Sequence, residues 1–238
     1  MKHLDLTLPT PAENLACDEA LLDWGDAHGG AVLRCWEPAR EFVVVGFANK
    51  VAVEVNQPAC AAAGVAIYRR CSGGGTVLQG PGCLNYSLVL PIPEHGWLAG
   101  ISGTNQFVMH RQREAIEGLL GQPVTVRGHT DLALDGRKFS GNAQRRKRRA
   151  LLFHGTFLCS FELPLIGRLL QAPSKEPDYR QGRSHADFLI NLGLPPARIK
   201  ARLREIWQAD EDMGDVPLAA MQKLVEEKYS TAAWNGKF

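Results

Sequence analysis

Asp131-Leu132-Ala133-Leu134-Asp135-Gly136-Arg137-Lys138-Phe139-Ser140 reads as two short strands around an Asp-Gly turn. The aspartate and glycine supply the unusual backbone angles of a tight hairpin, and the apolar residues on either side favour pairing. Val124-Thr125-Val126 before it and Leu151 to Phe161 after it extend the pair into a β-meander. Working outward, Asn105 to Leu120 is a helix stopped by Gly121 and Pro123, and Leu84 to Leu90 is a strand closed by Pro91 and Pro93. Val65 to Tyr68 is a strand, and Pro58 to Ala63 is a helix ending at Gly64. Ala31 to Trp36 and Phe42 to Val45 are strands separated by Pro38. Asn14 to Trp24 is an amphipathic helix, with Leu15, Ala16, Ala20, Leu21 and Trp24 on one side and Glu13, Asp18, Glu19 and Asp23 on the other. Strand groups alternating with helices give an α+β class. After Leu163 the pattern changes: a helix over Leu163 to Gln171, a Pro-rich polar stretch from Ala172 to Arg183, and terminal helices over Pro196 to Ile206 and Pro217 to Tyr229. We therefore divide the chain into a catalytic-sized unit at 1–193 and a short helical extension at 194–238, whose 45 residues are too few for their own core.

With 238 residues, 45% hydrophobic and 22% charged, the composition excludes disordered and fibrous classes. Lys and Arg total 27 against 25 acidic residues, so no overall surface is built for nucleic acid. The basicity is local: removing the five cations of Arg145-Arg146-Lys147-Arg148-Arg149 leaves 22 against 25. No apolar run reaches membrane-spanning length, and the N-terminal stretch, with Asp5 and Glu13, lacks the layout of a secretory signal, so we expect a cytoplasmic protein without a membrane partner. The six cysteines are scattered without a C-x-x-C pair and read as reduced thiols; the histidines also lack metal-ligand spacing, so no side-chain metal site is expected.

Three clusters carry chemistry. Arg69-Arg70-Cys71-Ser72-Gly73-Gly74-Gly75-Thr76 lies between two strands; three glycines let backbone N–H groups approach an anion, and two arginines offer bidentate contacts to phosphate or carboxylate. It is not a P-loop, since no Lys-Ser/Thr or helix follows. The alternative is a flexible hairpin with solvated arginines. Gly136 to Gln144 places Lys138 and Ser140 on one strand face, with Asn142 and Gln144 continuing it. Such a lysine either bridges a carboxylate and a phosphate or is an ordinary surface cation. His154-Gly155-Thr156 sits in an apolar strand, where His154 is either a satisfied core histidine or a catalytic one.

Together with Asn14-Leu15-Ala16, Asp18-Glu19, Trp36, Val43-Val44-Val45-Gly46 and Asp131-Leu132, these motifs stand in an order and spacing that resembles the lipoate-protein ligase A family, over about residues 10 to 195. The resemblance implies the fold shared with biotin ligases and octanoyltransferases, a mixed or antiparallel sheet with packed helices. It also implies an ATP-dependent reaction, with Mg2+, in which lipoate or octanoate becomes an acyl-adenylate and is passed to a lysine of a lipoyl carrier domain. That acceptor would be a 2-oxoacid dehydrogenase subunit or a glycine-cleavage H-like protein. Carried over by position, Lys138 is the catalytic cation, and Arg70, Ser72, Gly73, Gly74, Gly75, Thr76, Asn85, Asp131, Ser140, Asn142, His154 and Thr156 line the acyl-adenylate and ATP site, beside an apolar tunnel for the chain. Arg145 to Arg149 would meet the acidic acceptor; a solvated hairpin tip or a nucleic-acid contact are the other uses of such a run, and we expect no nucleic-acid partner.

The chain departs from the family pattern at three places. Gln79-Gly80 stands where the family often has histidine and aspartate after the glycine loop. Val126-Arg127 stands where related acyltransferases carry a nucleophilic cysteine, which excludes a thioester mechanism at that position; Cys159 is expected to be buried and inert. Only Gly193 to Phe238 follows the matching region, so the expectation is that adenylation needs a separate accessory protein. An ATP-independent octanoyltransferase and a non-catalytic lipoate- or adenylate-binding protein are the competing functions.

Overall fold

In the computed structural model, which describes residues 1–238, the first helix begins earlier than its apolar spacing predicts. Helix α1 spans Pro11–His28 because Thr10 and Glu13 form a capping box: the Glu13 amide donates to Thr10 Oγ1 at 3.2 Å, and the Thr10 amide donates to Glu13 Oε2 at 2.8 Å. Gly29, at φ 76°, ends it. Its polar side is not all solvated, since Asn14 and Asp18 are buried beneath the guanidinium of Arg34.

Eight strands form the main sheet, in the order β11 (Glu211–Asp212), β1 (Lys2–Asp5), β2 (Val32–Trp36), β6 (Cys83–Pro91), β10 (Ala150–Leu158), β9 (Arg137–Arg146), β8 (Asp131–Leu134) and β7 (Thr125–Arg127). The β11–β1 and β1–β2 pairs are parallel and the rest antiparallel, so the sheet is mixed. A second sheet of three strands, β4 (Ala66–Arg69), β3 (Phe42–Val45) and β5 (Val77–Gln79), carries the glycine loop between β4 and β5. Strands β1 and β11 were not expected: they are short and polar, and pairing with a neighbour rather than local pattern defines them.

One face of the main sheet buries α4 (Ile101–Leu120) and α7 (Pro196–Trp207), through Val108, Met109, Ile116, Ile199, Leu203 and Trp207. The other face buries α1 and α8 (Leu218–Leu224). Helices α3 (Gln57–Ala62), α5 (Pro164–Leu169) and α6 (His185–Phe188) pack on the small sheet, with α2 (Val51–Glu54) leading into α3. Residues 194–238 share these cores: Leu203 and Trp207 belong to the first, Met213, Met221 and Tyr229 to the second. The chain then closes over β4 through α9 (Ala232–Asn235), and Tyr229 donates to Glu19 of α1 at 2.6 Å. No helix is long and apolar enough to cross a membrane.

The register of the main sheet decides which side chains meet. Trp36, Asn85, Thr156 and Gly141 lie in one row across β2, β6, β10 and β9; Arg34, Ser87, His154 and Ala143 form the next row on the same face, the α1 side. Between β8 and β9 the register slips at Leu132/Ala133, where Leu132 pairs with Ser140 but Ala133 pairs with Lys138. That extra residue is a β-bulge, and it reverses the alternation beyond it.

Candidate active site

The glycine loop is held from inside by arginine. Arg70 is 8% exposed; its Nε donates to Ser72 Oγ and Gly73 O, its Nη2 donates to Gly73 O and Gly75 O, both at 2.7 Å, and its Nη1 donates to Val44 O at 3.4 Å. With the carbonyls drawn inward, the N–H groups of Gly73, Gly74 and Gly75 donate to no protein acceptor. Gly74 adopts φ 85°, and a Cβ there would lie 2.9 Å from Arg70 and 3.3 Å from Ala143, whereas a Cβ on Gly73 or Gly75 would meet nothing within 4 Å. The result is a nest of exposed donors facing the row of Ala143 and His154.

Both arginines, offered from sequence as bidentate ligand contacts, are bonded within the protein. Arg69 is fully buried and donates to the carbonyls of Gly46, Phe47, Asn49, Trp234 and Asn235, clamping the C-terminal residues to the loop before α2. Arg70 turns its Nε and Nη2 into its own loop, and burial pushes its guanidinium down to about 10. Neither has a carboxylate partner within the protein.

Ser72 and His154 fasten this loop to the sheet. Ser72 Oγ lies 2.6 Å from His154 Nε2, His154 Nδ1 lies 3.5 Å from Asp18 Oδ2, and Asp18 Oδ1 accepts from Arg34 at 2.6 Å. Arg34 is fully buried and also donates to Asn14 O, Asn14 Oδ1 and Leu6 O. Burial alone would raise the Asp18 carboxyl; the Arg34 guanidinium, followed by the hydrogen bond with His154, outweighs it and holds Asp18 below the usual carboxylate range. Asp18 and Arg34 were given no role from sequence. The signal was present: an arginine in the middle of Val-Leu-Arg-Cys-Trp demands a buried acceptor.

Lys138 stands on the adjacent row. Its ammonium is 2.8 Å from Asp131 Oδ1 and occupies the space that a Gly141 Cβ would fill, 2.7 Å away. Because Gly141 pairs with Thr156, the ammonium lies on the face of Thr156, Asn85 and Asp131. There Gln79 Nε2 donates to Thr156 Oγ1 at 2.7 Å, Thr156 donates to Asn85 Oδ1 at 2.6 Å, and Asn85 donates back to Gln79 Oε1 at 3.0 Å. Gln79, noted in sequence only as a departure, is thus a buried member of this polar floor. Thr76 lies at the loop's far end, where its hydroxyl meets Asn49 at 3.3 Å.

Two expected site residues lie elsewhere. Asn142 pairs with Gly155 on the α4 side of the sheet, where its Oδ1 accepts from Tyr86 at 2.6 Å and its Nδ2 donates to Thr130 O at 2.6 Å. Ser140 is buried on that same face. The bulge separates them from Lys138, so the single polar face read from alternation does not exist. Neither of two cavities beyond the site, one lined by Trp97, Phe107 and Ile206 and one by Leu163, Leu170 and Arg183, includes Lys138 or the glycine loop.

The basic run is divided by its anchors. Arg146 donates to Leu98 O at 2.8 Å, Ala99 O at 3.0 Å and Thr104 Oγ1 at 3.0 Å; Lys147 pairs with Asp23; the Arg149 amide donates to Asp26. Arg145 stacks over Phe47 on the glycine-loop side, and Arg148 is exposed. All six cysteines are buried, and burial pushes the Cys159 thiol up to about 12.

A family model described as the lipoyl protein ligase A/B catalytic domain matches residues 10–193. An inferred lipoate-protein ligase A of Aeropyrum pernix is 34% identical over 87% of this chain and 74% of its own. The octanoyltransferase LipM of Carboxydothermus hydrogenoformans is 28% identical over 95% of both chains. Two solved structures superpose over all of this chain with a TM-score of 0.83 at 21% identity: a bi-partite lipoate protein ligase from Thermoplasma acidophilum, studied with its E2 lipoyl domain, over 96% of that chain, and a lipoate-protein ligase A bound with ATP, over 99%. At that identity the likeness establishes the fold.

Proposed function

This chain belongs to the lipoyl protein ligase A/B catalytic-domain family, and from that premise we propose that it is an ATP-dependent ligase that activates lipoate or octanoate as the acyl-adenylate and transfers the acyl group to a lysine of a lipoyl carrier domain. The observation that carries the reading is the Lys138 ammonium held over Gly141, one same-face row from the nest of Gly73, Gly74 and Gly75. Successive same-face rows are about 7 Å apart along a strand, the span of an acyl-phosphate group. The nest would hold phosphate oxygens. Lys138 would stabilise charge developing on the carboxyl oxygen and the α-phosphate in both half reactions, while Asn85, Gln79 and Thr156 form a pre-ordered polar wall. Mg2+ would be bound mainly by the ATP phosphates, as is usual for that ion.

Two finer points belong to this reading. The full-length likeness to one chain of a bi-partite ligase supports a second protein for the adenylation step. Likeness to LipM raises acyl transfer without ATP; burial of every cysteine and the Val126-Arg127 pair favour the ligase. The acceptor would be a 2-oxoacid dehydrogenase or glycine-cleavage H-like lipoyl domain.

The test is mass spectrometry of an apo lipoyl domain incubated with the protein and preformed lipoyl-AMP. The parent should add one lipoyl group and Lys138→Ala should add none while unfolding at the same temperature; activity of the alanine variant within a few-fold of the parent would overturn the assignment. With lipoate and ATP instead, pyrophosphate release should be slow until an accessory protein is supplied.

A further inference from the structure

The residues after α5 return to the hairpin that carries Lys138. Tyr179 donates its hydroxyl to Asp131 Oδ2 at 2.9 Å, while the other oxygen of the same carboxylate holds the Lys138 ammonium at 2.8 Å. Four residues on, Arg183 donates to Gly136 O in the hairpin turn at 3.1 Å and to Tyr179 O at 2.7 Å. The Ile190 amide then donates to Lys138 O at 3.0 Å. The Pro-rich polar stretch, given no site residue from sequence, thus bonds the hairpin at Asp131 and at Gly136, the turn residue two positions before Lys138.

The tyrosine is fixed by its surroundings. Its ring packs on Phe188 with centroids 5.1 Å apart, and Arg127 lies over it at 5.8 Å. Burial, followed by the charge of Asp131, pushes the phenol above its ordinary value, so the group remains a donor throughout the working pH range. An ammonium free to approach both oxygens of a carboxylate has several geometries of similar energy. A donor fixed on one oxygen takes one of its two lone pairs and crowds the approach of a cation there, which favours the other oxygen as the seat of the lysine.

We propose that Tyr179 is a positioning residue: by occupying Asp131 Oδ2 it confines the Lys138 ammonium to Oδ1, above Gly141 and beside the polar floor. The inference rests on the role proposed for Lys138. It assigns Tyr179 no contact with substrate. Its effect passes entirely through Asp131, so the two side chains form one unit with the lysine.

Two measurements on the full chain test this. In acyl transfer from preformed lipoyl-AMP to a lipoyl domain, Tyr179→Phe keeps the ring packing and should lower kcat about tenfold, the scale of a lost hydrogen bond to a charged group, with KM for the adenylate unchanged. In an Asp131→Asn background the same change should cost nothing further, a coupling that loss of packing alone would not produce. The second readout needs no activity. The side-chain 15N resonance of Lys138, identified by its loss in Lys138→Arg, should shift in Tyr179→Phe. Unchanged kcat, additive effects in the double variant, or an unchanged Lys138 resonance would overturn the inference. A parent protein that transfers no acyl group would instead remove the functional reading, leaving the resonance to judge the contact.

Discussion

Gly141→Ala separates the position of Lys138, the cation proposed to act in catalysis, from the stability of the fold. A Cβ at 141 would lie 2.7 Å from Lys138 Nζ and 2.8 Å from Lys138 Cε, with Asp131 Oδ1 at 3.7 Å. Ordinary contacts between such atoms are about 3.5–4.0 Å, so the ammonium must withdraw by roughly 1 Å. The backbone does not object: Gly141 is in regular strand and not at positive φ. The obstructing atoms are the tip of a flexible side chain, which moves at little cost. Stability should therefore change by less than about 1 kcal/mol, since alanine also loses less chain entropy than glycine on folding. Catalysis should fall by up to about a hundredfold, the effect of an ångström's misplacement on a pre-organised group. The assay is transfer from preformed lipoyl-AMP, followed by intact mass of the lipoyl domain, alongside thermal unfolding of the variant. A folded Gly141→Ala protein with activity within twofold of the parent would show that the reacting position of Lys138 is not the one above Gly141.

The remaining expectations concern the frame of the site. Asp18→Asn leaves Arg34 buried without its carboxylate and should cost roughly 3 kcal/mol, the lower end for breaking a buried pair because three oxygens of Leu6 and Asn14 still accept from it. Asp18 is held below its ordinary value, so its contribution is present above the unfolded-state value of about 3.9 and is lost as pH falls through the lower folded one; acid unfolding monitored by circular dichroism should lose that component in Asp18→Asn. In the basic run, Arg146→Ala should lower the unfolding temperature, with a loss of about 1 kcal/mol or more, because its guanidinium bonds two carbonyls and Thr104. Arg148→Ala should leave unfolding unchanged and slow use of an acidic lipoyl domain at low salt only; equal acceptor kinetics across a salt titration would count against that surface.

Local signals in the sequence suffice for most of the frame. Asp135-Gly136 makes the hairpin, Gly121 ends α4, and short runs rich in apolar, β-branched or aromatic residues bounded by turn residues mark β2, β3, β6 and β10, because turn conformation and strand preference depend on residues close in the chain. The glycine triplet marks a loop with open N–H donors for the same reason, and the order of motifs carried the family. Tertiary structure decided what local pattern cannot encode. Whether Lys138 joins Asn142 or Thr156 depends on one extra residue opposite Leu132 and Ala133, and a bulge has no fixed composition. What each arginine does depends on acceptors far away in sequence: Arg34 meets Asp18, Arg69 meets Trp234 and Asn235, and only Arg70 serves its own loop. Tyr179 meets Asp131 by the same physics, since a donor shielded from water bonds to whichever acceptor the folded chain brings within 3 Å, and 48 residues of separation leave no periodic trace.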